Sequence, residues 1–185
     1  FFPDAFGQRP ASFAVAEEIA TSGWRVMMPD YFYDHRPYEP LIPKSLFEEG
    51  PERDRLMQMF KSVTMAKVDE DAAALISLAE SQSDAGVPFA TVGYCMGGRY
   101  ALSAITGSER VKFAGAFHAS NIAPAERDSP HLRFAGGQGS IYVRVAGIDP
   151  TEVSDEHGRR AQPLQEAAAD NVIESYQRRG PRWTF

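Results

Sequence analysis

This sequence predicts an α/β domain built on a mainly parallel sheet, and three observations carry that expectation. Strand-like and helix-like stretches alternate along the whole chain, which favours helices packed on a parallel sheet over a helical bundle or a two-sheet sandwich. Apolar residues make up 43% of the chain, the proportion of a packed globular core. Its 185 residues suffice for one such domain and argue against two.

The elements follow in order. Phe1-Phe2, ahead of Pro3-Asp4-Ala5-Phe6-Gly7, reads as a strand end running into a loop. Pro10 suits the first turn of a helix, where its missing N–H would be unpaired anyway; Ala11 to Thr21 continue that helix and Gly23 closes it. Trp24 to Met28 is a short apolar run cut off by Pro29-Asp30, as a buried strand would be. From Tyr31 to Pro51 the prolines at 37, 40, 43 and 51 accompany no steady period, so an irregular surface excursion is expected. A loop that long in a compact domain is more often functional than idle.

Arg53 to Gln82 predicts two helices broken near Val63-Thr64, the second with an apolar face of Ala72, Leu75, Ile76 and Leu78. Val87 to Tyr94 is the next strand, Met96 to Thr106 a helix ended by Gly107, and Val111 to Phe117 a further strand. Ile141 to Ile148 reads as a buried strand with Asp149-Pro150 just past its end. Glu152 to Ala169 is expected to be helical, and Val172 to Tyr176 to be the last strand.

Composition removes several classes of function. Nineteen Lys and Arg stand against twenty-five Asp and Glu, a net charge of −6, and no window gathers the basic residues into a phosphate-binding stripe. Nucleic acid is therefore not an expected partner. No apolar run approaches the roughly 18 residues that cross a bilayer, so no membrane span is expected. A single cysteine excludes an internal disulfide and every zinc arrangement that needs two thiolates, which fits a reducing, cytoplasmic setting. The chain opens without an initiator Met or a signal-like region and reads as starting inside a structural element.

The segment richest in chemistry is Thr91-Val92-Gly93-Tyr94-Cys95-Met96-Gly97-Gly98-Arg99. A strand runs into Gly-x-Cys-x-Gly-Gly and directly into a helix, the nucleophile-elbow pattern with Cys where Ser is commoner. A nucleophile on so sharp a turn needs small neighbours two residues to either side, and Gly93 and Gly97 fill those places. The turn leaves the sulfur at a helix N-terminus, where unpaired N–H groups and the helix dipole favour thiolate. The Met96 N–H then points where an oxyanion would form. The plainer alternative is a small buried hydrophobe with no chemistry.

At these residues the sequence resembles the dienelactone hydrolases (carboxymethylenebutenolidases). The likeness runs through residues 2–7, Pro29-Asp30-Tyr31-Phe32-Tyr33 and the cysteine elbow, and continues in Phe117-His118-Ala119, Asp128-Ser129-Pro130-His131 and Ala146-Gly147-Ile148-Asp149-Pro150. The resemblance implies a single three-layer α/β-hydrolase domain over residues 1–185, with helices on both faces of the sheet. It also implies cleavage of a small-molecule ester or lactone by a Cys-His-Asp triad, without metal or organic cofactor.

Carried over residue by residue, the resemblance makes Cys95 the nucleophile and Asp149 the acid that orients the imidazolium. Asp149 can also be read as a plain helix start before Pro150. The resemblance gives Ala5 and Met96 as the oxyanion amides. Asp4 stands where the family often has Glu, whose carboxylate partners the resting thiol; Asp is one methylene shorter and is otherwise a loop residue bonding its own backbone. The family places the base in a His-Gly-Phe or His-Gly-Trp segment after the last strand, and no histidine follows His157. His118 and His131 are candidates to approach the site, each with a structural reading as well, and His35 is expected at the solvent surface. Either the base has been lost, or N-terminal strands and a segment near Gln177 lie outside this stretch, which is the expectation here. Asp34 stands where the family has a carboxylate-binding Arg, with Arg36 two residues on. Tyr31 and Tyr33, with Arg36, are the expected pocket residues. The reading from another class is a non-catalytic protein of the same fold that binds a ligand or senses oxidants through Cys95.

Overall fold

A computed structural model describes residues 1–82, 86–119, 139–146 and 172–176. Helix α1 spans Pro10–Thr21, α2 Pro51–Ser62, α3 Met65–Ser81 and α4 Met96–Gly107. Strands β1 (Phe89–Tyr94), β2 (Val111–Phe117), β3 (Ser140–Ala146) and β4 (Val172–Tyr176) form one sheet in the order β1-β2-β3-β4, every pair parallel. The predicted class is the observed one. The expected helix over Glu152 to Ala169 lies outside the described residues.

Local chemistry accounts for the boundaries. Thr64 separates α2 from α3 because its side chain accepts a bond from the Lys67 N–H at 3.2 Å, capping one of the donors that a helix start leaves unpaired. Pro10 and Pro51 both stand at first-turn positions. The excursion after Tyr31 carries only two short 3-10 turns, Tyr33–His35 and Pro43–Phe47.

Three expectations change. Residues 24–28 form no strand. Phe1 reaches them through its amino group alone, which donates to the Met27 carbonyl at 2.7 Å, and one bond does not make a ladder. Trp24 is 51% exposed, so the apolar run is not a buried one. Leu78 likewise faces outward from α3, where Val68 and Ala72 are the buried residues. His35 is half-buried rather than at the surface, its Nε2 lying 2.9 Å from the Ser62 hydroxyl.

The core has two parts. Leu102 and Ile105 of α4 pack on Val111, Ala114, Ile141 and Val143 of the sheet, each buried aliphatic side chain contributing about 1.5–3 kcal/mol. Tyr31 and Phe32 join Leu56, Met59, Val68 and Tyr100, gathering the excursion, α2 and α3 against the outer side of α4. α4 is thus clamped from both sides, which fixes its N-terminus. Among the described residues no helix is long and apolar enough to cross a membrane.

Candidate active site

All four strands end at one rim, because every pairing is parallel; Tyr94 is level with Phe117, and Phe117 with Arg144. In open α/β sheets ligands bind beyond the carboxyl ends of strands. Cys95 occupies that rim, one residue past β1 and at the N-cap of α4.

The elbow is as sharp as its glycines require. Cys95 has φ +54° and ψ −121°, a conformation that L-residues rarely adopt and that surrounding structure must hold. Two bonds hold it: the Cys95 N–H donates to the Phe117 carbonyl at 2.9 Å, and its carbonyl accepts from the Gly98 N–H at 3.0 Å. A Cβ on Gly93 would overlap the Gly97 carbonyl and lie 2.7 Å from the Gly98 nitrogen. One on Gly97 would overlap the carbonyl oxygens of Phe2 and Pro3. Both glycines are sterically obligatory. The Met96 N–H lies in the first turn of α4, where helical N–H groups have no intrahelical acceptor.

The loop carrying Ala5 is pressed against the elbow. Phe2 forms an isolated parallel bridge to Gly93, with the Phe2 N–H donating to Val92 at 2.7 Å and the Tyr94 N–H donating to Phe2 at 3.2 Å. The Tyr31 hydroxyl donates to the Pro3 carbonyl at 3.0 Å. The Asp4 carboxylate takes the Phe6 N–H at 3.0 Å and both terminal nitrogens of Arg9 at 2.6 Å each. Asp4 therefore stands beside the elbow with Arg9 as its partner.

The expected pocket residues divide. Tyr31 is 1% exposed, edge-on to Tyr100 at 5.3 Å, and supports the loop from within the core. Burial raises its pKa well above the ordinary tyrosine value, with Tyr100, Asp4 and Cys95 adding to the effect. Tyr33 donates to Asp71 at 3.2 Å and stacks under the Lys67 ammonium, so its contacts run to α3. Arg36 is 61% exposed and donates to Asp30 at 2.7 Å. Asp149, His131 and His157 lie outside the described residues.

His118 also stands on the rim. It follows Phe117, whose carbonyl accepts from Cys95, and its own φ is +51°. Cys95 and His118 are the two non-glycine residues with positive φ among those described, and they sit side by side at the ends of β1 and β2. Backbone strain of this kind gathers at functional sites; no local sequence pattern announces it. A cavity of about 820 Å³ runs along β1 from Val87 to Val92, lined also by Phe1, Phe2, Trp24 and Met27.

Comparison with known proteins places the chain in context. The model for the dienelactone hydrolase family matches residues 1–180. A curated relative, dienlactone hydrolase 2 of Gibberella moniliformis, is 29% identical over 117 residues, covering 62% of this chain and 47% of its own. The chain thus spans less than half the length of that relative. Among solved structures, a dienelactone hydrolase from Klebsiella pneumoniae superposes with a TM-score of 0.76 at 17% identity, over 97% of this chain and 72% of the other. A dienelactone hydrolase-like promiscuous phosphotriesterase, P91, from metagenomic libraries superposes with a TM-score of 0.69 at 20% identity, over 97% and 68%. At these identities the two structures speak for the fold.

Proposed function

The chain belongs to the dienelactone hydrolase family, and from that premise we propose that it hydrolyses a small ester or lactone through a cysteine acyl-enzyme. The observation that carries the reading is the Cys95 backbone, held at φ +54° between two glycines that cannot accept a Cβ. A backbone strained this way presents its side chain to the rim and places it at a helix N-terminus, where a thiolate is favoured.

In this reading Cys95 Sγ, as thiolate, attacks the carbonyl carbon and the electron pair moves to the carbonyl oxygen. The amides of Ala5 and Met96 hold that oxyanion. Collapse re-forms the carbonyl and expels the alcohol, which takes up a proton. Water then attacks the thioester and frees the acid and the thiol. Asp149 orients the imidazole of the base histidine that the family places after the last strand, and that imidazole moves these protons. A cytoplasmic setting and a small-molecule substrate belong to the same proposal. The chemistry calls on no metal or cofactor.

The test is p-nitrophenyl acetate turnover by wild type, Cys95→Ala and Cys95→Ser. Turnover by wild type, a fall to background in Cys95→Ala and a partial rate in Cys95→Ser support the hydrolase. Equal background turnover in all three sinks it, and reversible peroxide oxidation of Cys95 in that case favours the thiol-sensing alternative.

A further inference from the structure

The loop between Phe2 and Gly7 is closed by its own side chains. Asp4 Oδ1 accepts the Phe6 N–H at 3.0 Å and Arg9 Nη1 at 2.6 Å, while Oδ2 accepts Arg9 Nη2 at 2.6 Å. The Asp4 carbonyl accepts the Gly7 N–H at 3.0 Å. Arg9 is itself anchored, its N–H donating to the Ser12 hydroxyl at 2.8 Å and its guanidinium lying 5.6 Å from the centre of the Phe6 ring. Ser12 in turn donates to the Gly7 carbonyl at 2.9 Å. Ala5 lies between Asp4 and Phe6, which the bond from the Phe6 N–H to Asp4 Oδ1 ties together. The peptide that carries its N–H is held by the Asp4 carbonyl's bond from Gly7 and by the Asp4 side chain, whose far end is the Arg9 fork.

We propose that Arg9 is a positioning residue, which through Asp4 aims the Ala5 N–H at the developing oxyanion. The proposal rests on the hydrolase reading above. A two-point guanidinium–carboxylate fork fixes orientation as well as distance, which a lysine ammonium does not. Oxyanion donors act only when aimed at where charge develops, so a small tilt of one peptide is felt in the rate. The pair is about a quarter exposed at each side chain, 23% for Arg9 and 26% for Asp4, so its loss lowers stability only modestly. Its removal is thus expected to appear mainly in kcat.

The experiment compares wild type, Arg9→Met and Arg9→Lys on p-nitrophenyl acetate, with thermal midpoints and the rate of Cys95 alkylation by iodoacetamide measured in parallel. Arg9→Met is expected to lower kcat about tenfold with KM nearly unchanged. The alkylation rate should stay at the wild-type value, because the nucleophile is untouched, and the thermal midpoint should fall by no more than about 4 °C. Arg9→Lys keeps the charge, folds even if Arg9→Met does not, and should recover only part of the rate. An unchanged kcat in a folded variant overturns the proposal and leaves the hydrolase reading standing. A parallel drop in midpoint, alkylation and kcat also overturns it, since the residue is then merely structural. Absence of Cys95-dependent turnover in wild type removes the hydrolase reading and this inference with it.

Discussion

The hydroxyl of Tyr31 donates to the main-chain carbonyl of Pro3 at 3.0 Å, across 28 residues of sequence and inside the core. Tyr31→Phe leaves that carbonyl buried without its donor, which costs about 1–3 kcal/mol. Urea denaturation should show a lower midpoint at an unchanged slope. A midpoint equal to wild type would mean that Pro3 finds another donor.

Alkaline stability follows from the same tyrosine and its neighbour. Burial raises the folded pKa of Tyr31 well above 10.0 and that of Tyr100 to about 12, the latter opposed by Arg99. Below the unfolded value both states keep the phenolic protons and the full stability is present. Between pH 10 and about 12 the unfolded chain loses protons that the folded chain retains, so stability falls through that window. The thermal midpoint should drop on that limb, and less steeply in Tyr100→Phe. Identical slopes would remove Tyr100 from the account.

Gly97→Ala should be among the most damaging substitutions, at least about 4 kcal/mol or loss of soluble protein, because the new Cβ meets main-chain atoms of Phe2 and Pro3 that cannot yield. Gly107→Ala is the control. Nothing lies within 4 Å of its new Cβ, so stability should stay within about 1 kcal/mol of wild type or rise. Equal circular-dichroism melts for the two variants would refute the steric argument.

Asp30 organises the start of the excursion. Its carboxylate, 7% exposed, accepts the Phe32 N–H at 3.0 Å, the Tyr38 hydroxyl at 2.7 Å and Arg36 at 2.7 Å. Asp30→Ala strands these donors and should cost about 1–3 kcal/mol. Limited proteolysis should then cut within residues 31–50 faster than in wild type. Unchanged cleavage would show that the excursion is held by its apolar contacts alone.

The parts of this fold that were legible in sequence are those decided within a few residues. The break between α2 and α3 is a Thr64 cap, and the elbow is the steric requirement of Gly93 and Gly97; both depend on neighbours close in the chain. Misread features depend on distant partners. No local pattern ties Tyr31 to Pro3 or Arg36 to Asp30, the partners that hold them. Trp24 to Met28 has the composition of a strand, yet strand formation is a property of the neighbour as much as of the run. Arg9 carries no local signal at all, since an arginine at a helix start is unremarkable until its carboxylate is located.

The crowding at Gly93 and Gly97 also dictates the order in which such an elbow can change. A Cβ at either glycine meets main-chain atoms at once, and the Cys95 side chain is not among the groups nearest to it. Sulfur can be exchanged for oxygen in one step on an unchanged frame, so residue 95 can pass between Cys and Ser without touching the turn. Substituting either glycine first closes that route, because the frame is lost before any new chemistry exists to be selected.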